Sequence, residues 1–289
     1  MEKDEYSEWF RSTDEPRPGI VRLDKGVPNG GIFKPIEYSE LNGWAIFEGD
    51  IAISSVEEME RLVKGIQTPI EEFPVSGLPA RDVKVSDDIP KPASIGITGK
   101  MYRWPNGVIP YEVDDDLPAK ERVTNAIAHW MSKTPFQFVA RDPGNQEHKN
   151  YIRFEAQDGC WSQVGMRGGK QIISLHEDCS PGSAIHEIGH AIGLWHEQSR
   201  EDRSKYVRIR WENVRSGVSH NFNQHIVDGD DLGKYDYGSI MHYSRTAFSK
   251  NGQPTIEAVK PGGEVMGQRT GLSDGDIAGV KAMYPNLAW

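Results

Sequence analysis

Cysteine is nearly missing: only Cys160 and Cys179 occur in 289 residues, so no thiolate can come from the first half of the chain. Nineteen residues apart, the two thiols could close a loop worth about 3 kcal/mol in the chain-entropy model, or stay free. Long apolar runs are missing too. Nothing approaches the length of a membrane span, and the opening MEKDEYSEWF has no apolar signal-peptide core. No basic cluster with interleaved aromatics is present, which argues against a nucleic-acid partner. The net charge is −10, and residues 1–94 carry 19 acidic against 11 basic side chains, so the first third is the acidic part. No internal repeat occurs. With 37% hydrophobic and 26% charged residues, the chain has a soluble globular profile, for one large domain or a domain plus an appendage.

What is present centres on Ala184 to Glu197, AIHEIGHAIGLWHE. His186 and His190, four apart, lie on one face of a helix about one turn from each other and can grip one metal ion. Glu187 is placed to reach a water at that metal without ligating it. Gly193 allows a left-handed exit, so that His196 can return a third nitrogen. An amphipathic helix with surface histidines is the plain alternative. Against it stand Ser180 as an N-cap and Pro181 as first helical residue, with Ile185, Ile188 and Ile192 as a buried stripe. Three neutral imidazoles would leave the charge of zinc undiminished, able to acidify a water toward a pKa of about 7. Glu187 would take the proton and pass it to a leaving amine.

H-E-x-x-H-x-x-G-x-x-H followed by Glu197 resembles the astacin family of metzincin zinc endopeptidases, as does YDYGSIMHYS (Tyr235 to Ser244), which is similar to the family's Met-turn. The resemblance implies one zinc per chain, Met241 as an apolar floor beneath it, and Tyr243 as an extra ligand that swings away to support the oxyanion. It also implies that Glu197 is buried and meets a new amino terminus after activation. GCWSQVG and the second cysteine look like one family disulfide, Cys160–Cys179; the family's other bridge has no cysteines here. GQRTGLSDGDIA resembles a segment bordering the pocket after the scissile bond, where Arg269 would favour acidic residues. The family further implies secretion, with the signal already removed, protein or peptide substrates, and an activating protease.

In chain order, Ser55 to Val63 reads as a short helix with Ser55 and Glu58 as a capping box. Five prolines between Pro69 and Pro92 read as an extended linker. A boundary near residue 94 separates residues 1–94, a largely irregular inhibitory propeptide, from a catalytic domain at 95–289. FEGD (Phe47 to Asp50) matches the short motif by which astacin propeptides direct an aspartate onto the zinc, so Asp50 would block the open position. Further on, Gly107 to Val113, Tyr151 to Phe154 and Gln171 to Leu175 read as strands. Pro118 to Ser132 reads as a helix with Val123, Ala126, Ile127, Trp130 and Met131 on one face. Ser273 and Asp276 cap a last helix, with Ile277, Val280 and Met283 buried. The fold class is α+β: a twisted mixed sheet and two helices before Gly193, an irregular half after it, and a cleft between. His129, His148, His176, His220 and His225 lack ligand spacing, and His242 reads as structural. A catalytically silent protein-binding module and a structural zinc domain are the alternatives. The retained Glu187 argues against the first and the absence of a fourth cysteine or histidine ligand against the second.

Overall fold

The computed structural model describes residues 15–22, 33–65, 94–225 and 228–289. The proline-rich linker and the N-terminal decapeptide lie outside the described residues. The strands are β1 (Arg17–Arg22), β2 (Phe33–Leu41), β3 (Trp44–Phe47), β4 (Ile51–Ser55), β5 (Ser94–Ile97), β6 (Val108–Val113), β7 (Gln137–Ala140), β8 (Tyr151–Glu155), β9 (Cys160–Ser162), β10 (Lys170–Leu175), β11 (Val207–Ile209), β12 (Gly229–Leu232) and β13 (Ile256–Ala258). The helices are α1 (Val56–Gly65), α2 (Glu121–Lys133), α3 (Pro181–Ile192) and α4 (Asp274–Met283).

Nine strands form one mixed sheet in the order β1-β2-β3-β4-β9-β10-β8-β6-β7. The expected strands fall on β6, β8 and β10, which pair parallel as β6–β8 and β8–β10. Residues 17–22 and 33–65 are more regular than the sequence reading anticipates. They form an antiparallel meander, β1 to β4, followed by α1. One signal for it was legible: Asn42 and Gly43 between Leu41 and Trp44 take φ 48° and 80°, the left-handed pair that a two-residue hairpin loop demands. At its far edge the meander joins the rest of the sheet, because β4 pairs parallel with β9 at Ile51 and Ser162. Ser55 caps α1 as its sequence suggests, its Oγ accepting from the Glu58 N–H at 3.1 Å.

The main core lies where α2 and α3 pack together and against the sheet. Indole N–H groups lock the layers: Trp130 donates to the Ile185 carbonyl at 3.0 Å and Trp104 to that of Ala191 at 2.8 Å. Val123, Ala126, Ile127 and Trp130 are buried as expected, but Met131 is 46% exposed. Steps of 100° put position 131 at one edge of the stripe and position 122 at the other, and it is Arg122 that is buried. The buried Arg122 guanidinium donates to the carbonyls of Leu175, His176 and Cys179, holding the loop that enters α3. Cys160 and Cys179 form the disulfide that anchors this loop to β9. After Gly193 the chain turns irregular: short 3-10 turns, the pairs β11–β13 and β12–β5, and α4.

Candidate metal centre

Ser180 caps α3 by accepting from the Ser183 N–H, Pro181 opens the helix, and Ile185, Ile188 and Ile192 are buried. Gly193 ends it at φ 123°, where its N–H reaches the carbonyls of Gly189 and His190. A Cβ there would come 2.8 Å from Met283 Cε. The chain then doubles back and delivers His196 beside His186 and His190.

The three Nε2 atoms converge on one point, and the Asp50 carboxylate faces it as a fourth group. That carboxylate lies 3.2 Å from His186 Nε2, 3.6 Å from His190 Nε2 and 3.1 Å from His196 Nε2. All four side chains are buried. Each Nδ1 meets an acceptor at 2.8 Å: the Ile240 carbonyl for His186, the Leu194 carbonyl for His190, and Glu48 Oε2 for His196. In a neutral ring, Nδ1 therefore carries the proton and Nε2 keeps its lone pair. Three such lone pairs and a carboxylate, all within 4.8 Å of one another, cohere when a cation lies between them. The buried His190 Nε2 and Asp50 Oδ1 have no hydrogen-bond partner, as metal-facing atoms would not. Nitrogen and oxygen donors in this number suit zinc.

Electrostatics follow from burial. Desolvation opposes a charge on His196, but Asp50 and Glu48 outweigh it and push its pKa up to about 9. A cation in the same place would do the work of that proton. His190, where burial wins, is pulled down to about 4. Burial, reinforced by the charge of Asp50, raises Glu187 well above the usual carboxylate range.

The other expected residues also converge here. Met241 is fully buried under α3, where a Cβ on Gly189 would come 2.7 Å from its Sδ. Asp276 secures that turn: besides capping α4 with Ser273, it accepts from Ser239 Oγ at 2.6 Å and from the Ile240 N–H at 2.9 Å. Asp276 thus points inward, while Ile277 is only partly buried. The Tyr243 ring lies 4.5 Å from that of His196, and its hydroxyl donates to the Glu48 carbonyl at 2.5 Å. His242 is structural, its Nδ1 bonded to the Tyr243 carbonyl and its Nε2 to the Tyr235 hydroxyl, both at 2.7 Å. Glu197 is fully buried and accepts from the Asp236 N–H at 2.8 Å. Arg269 lies beside the same turn, its guanidinium donating to the carbonyls of His242 and Gln268.

Comparison with known proteins matches residues 96–285 to the Astacin peptidase family. The chain belongs to the astacin family. Zinc metalloproteinase nas-13 of Caenorhabditis elegans is 37% identical over 248 residues, covering 82% of this chain and 50% of that protein. That coverage exceeds residues 96–289, so the likeness reaches into the segment that carries Asp50. Meprin A subunit beta of Homo sapiens is 43% identical over 195 residues, 65% of this chain and 27% of its own. This astacin chain thus spans about half the length of nas-13. Among solved structures, high choriolytic enzyme 1, a hatching enzyme zinc-protease from Oryzias latipes, superposes with a TM-score of 0.59 at 35% identity, covering 66% of this chain and 98% of that one. The metzincin-type α+β fold and the single zinc that the motif implies agree with these relatives.

Sequence reasoning missed the residues behind the triad. Glu48 bonds Ser199 Oγ at 2.8 Å and His225 Nε2 at 3.0 Å besides His196, and His225 continues to Asp228, which pairs with Lys34 Nζ at 2.8 Å. Burial opposes the charge on Glu48, but the His225 and His196 rings hold its pKa down at about 2. The partners of the Glu48 carboxylate are 148 to 177 residues away in sequence. Nothing local announces such a cluster, although Glu48 lies inside the FEGD motif.

Proposed function

We propose that this chain is the latent form of a zinc endopeptidase, in which residues 1–94 inhibit a catalytic part at 95–289. The observation that carries the reading is the Asp50 carboxylate lodged among the three Nε2 atoms at 3.1 to 3.6 Å. His186, His190 and His196 would hold the zinc, and Asp50 would take the position that a catalytic water needs. Zinc bound there supplies Lewis acidity, acidifying a water and polarising the scissile carbonyl. Glu187, next to the first ligand, is the general base and then the acid toward the leaving amine. Tyr243, tied here to the Glu48 carbonyl, is released with the segment and donates to the developing oxyanion.

Cleavage by another protease within residues 66–93 and trimming toward Ile95 would free Asp50. Glu197 would then receive the new amino terminus. Its buried Oε2 has no hydrogen-bond partner, and Arg200, 3.6 Å from Glu197, binds the Ser94 carbonyl at 2.9 Å. These contacts support a start of the catalytic part close to Glu197. Secretion is supported by the Cys160–Cys179 bridge. Among the described residues no helix is long and apolar enough to cross a membrane. Substrates are proteins or peptides, and Arg269 favours an acidic residue after the scissile bond.

The test is a peptide-library digest with the protein after proteolytic activation, with and without a zinc chelator, beside Glu187→Ala. Cleavage should require zinc, and the variant should keep its zinc while losing turnover by at least about a hundredfold, the scale of general acid–base catalysis. Turnover within tenfold of wild type would reject Glu187 as the base.

A further inference from the structure

The three histidines are not supported alike. His186 and His190 rest their Nδ1 atoms on carbonyls of the catalytic part, Ile240 and Leu194. His196 rests on Glu48, a side chain of the preceding segment, at 2.8 Å. Glu48 is fully buried at φ 47°, a left-handed backbone conformation that disfavours a non-glycine residue. Four contacts hold it there: its carboxylate binds His196, Ser199 and His225, and its carbonyl accepts from Tyr243.

We infer that Glu48 is a positioning residue for the third metal ligand, so that the centre borrows the orienting partner of His196 from the segment that also inhibits it. The inference rests on the reading of residues 1–94 as a removable inhibitor. Asp50 and Glu48 grip opposite nitrogens of one imidazole, the first at Nε2 and the second at Nδ1. An acceptor on Nδ1 fixes the tautomer and the ring orientation and makes Nε2 a better donor. The full chain therefore holds its metal more firmly than it would without Glu48, and loss of the segment strips His196 of a support that His186 and His190 keep.

A plainer role for Glu48 would be to dock the hairpin. Lys34 separates the two, since it anchors the same segment through Asp228 at 2.8 Å. The experiment uses the zinc-loaded full chain and follows zinc transfer to a chromogenic chelator in wild type, Glu48→Ala, Glu48→Gln, Lys34→Ala and Asp50→Ala. Glu48→Ala should release zinc about ten to a hundredfold faster. Glu48→Gln, whose amide oxygen can still accept from Nδ1, should fall between it and wild type, and Lys34→Ala should stay within about twofold of wild type if docking alone does not set metal release. Wild-type release from Glu48→Ala, or equal release from Lys34→Ala and Glu48→Ala, overturns the inference. Should Glu48→Ala not fold, Glu48→Gln carries the test and must exceed wild type by about threefold. Peptidase activity of the uncut Asp50→Ala chain reports on the inhibitor reading separately, since a latent Asp50→Ala chain rejects that reading while the Glu48 release rates still stand or fall alone.

Discussion

At the scale of single residues, the centre divides by how far its information travels along the chain. His186, Glu187, His190 and His196 fall within eleven positions, so helix periodicity and one glycine suffice to bring them together. Asp50 was legible only through its motif, because 136 residues separate it from His186. Glu48, His225, Asp228 and Arg122 were not legible, since each acts through a tertiary contact that no spacing encodes. Arg269 sits between these cases. The structure places its guanidinium at the carbonyl of His242, the residue before Tyr243. If it reads the residue after the scissile bond, Arg269→Ala in the activated protein should lower kcat/KM for peptides with Asp or Glu there by about tenfold or more, the loss of a charge-assisted pair, and leave apolar peptides unchanged. An acidic preference that survives the substitution would assign that arginine to structure alone.

At the scale of elements, α3 is the most informative stretch because its cap, stripe and exit agree with one another. Within it Gly189 does something that the histidine motif does not announce. It leaves space for Met241, whose Sδ would lie 2.7 Å from an added Cβ. Overpacking of that kind costs about 1–3 kcal/mol. Gly189→Ala should therefore lower the thermal unfolding midpoint of the zinc-loaded chain and weaken zinc retention together, as the turn from Ser239 to Met241 also carries the Ile240 carbonyl that orients His186. An unchanged midpoint would mean that Met241 can shift freely and is no rigid floor. Short strands were harder to read than α3. β9 has three residues and β7 four, too few for alternation to rise above chance. The hairpin at Asn42-Gly43 carried its turn signal openly, but it lies in a segment whose glycines and prolines suggest irregular structure.

At the scale of the whole molecule, the strands β1 to β4 that precede Ser94 are built into the sheet. β4 pairs with β9, the Ser162 N–H donates to the Asp50 carbonyl at 2.9 Å, and the strand on the other side of β9 is β10, which leads to α3. The backbone that carries Asp50 is thus fixed by the same sheet that positions the histidines. Sequence could foresee the aspartate but not this continuity, because pairing of β4 with β9 depends on residues more than a hundred positions apart. On the proposed reading of residues 1–94 as an inhibitor, the Asp50 carboxylate is the group that closes the metal site and the meander β1 to β4 is the mount that holds it there. Asp50→Ala removes the first and leaves the second, so it isolates the central claim. The deciding measurement is the visible absorption of the cobalt-substituted full chain, wild type against Asp50→Ala, with peptidase activity of the same uncut samples. A carboxylate ligand replaced by water should change the cobalt spectrum and yield activity before any cleavage. An identical spectrum with identical latency would contradict the account, because Asp50 would then not be what closes the metal.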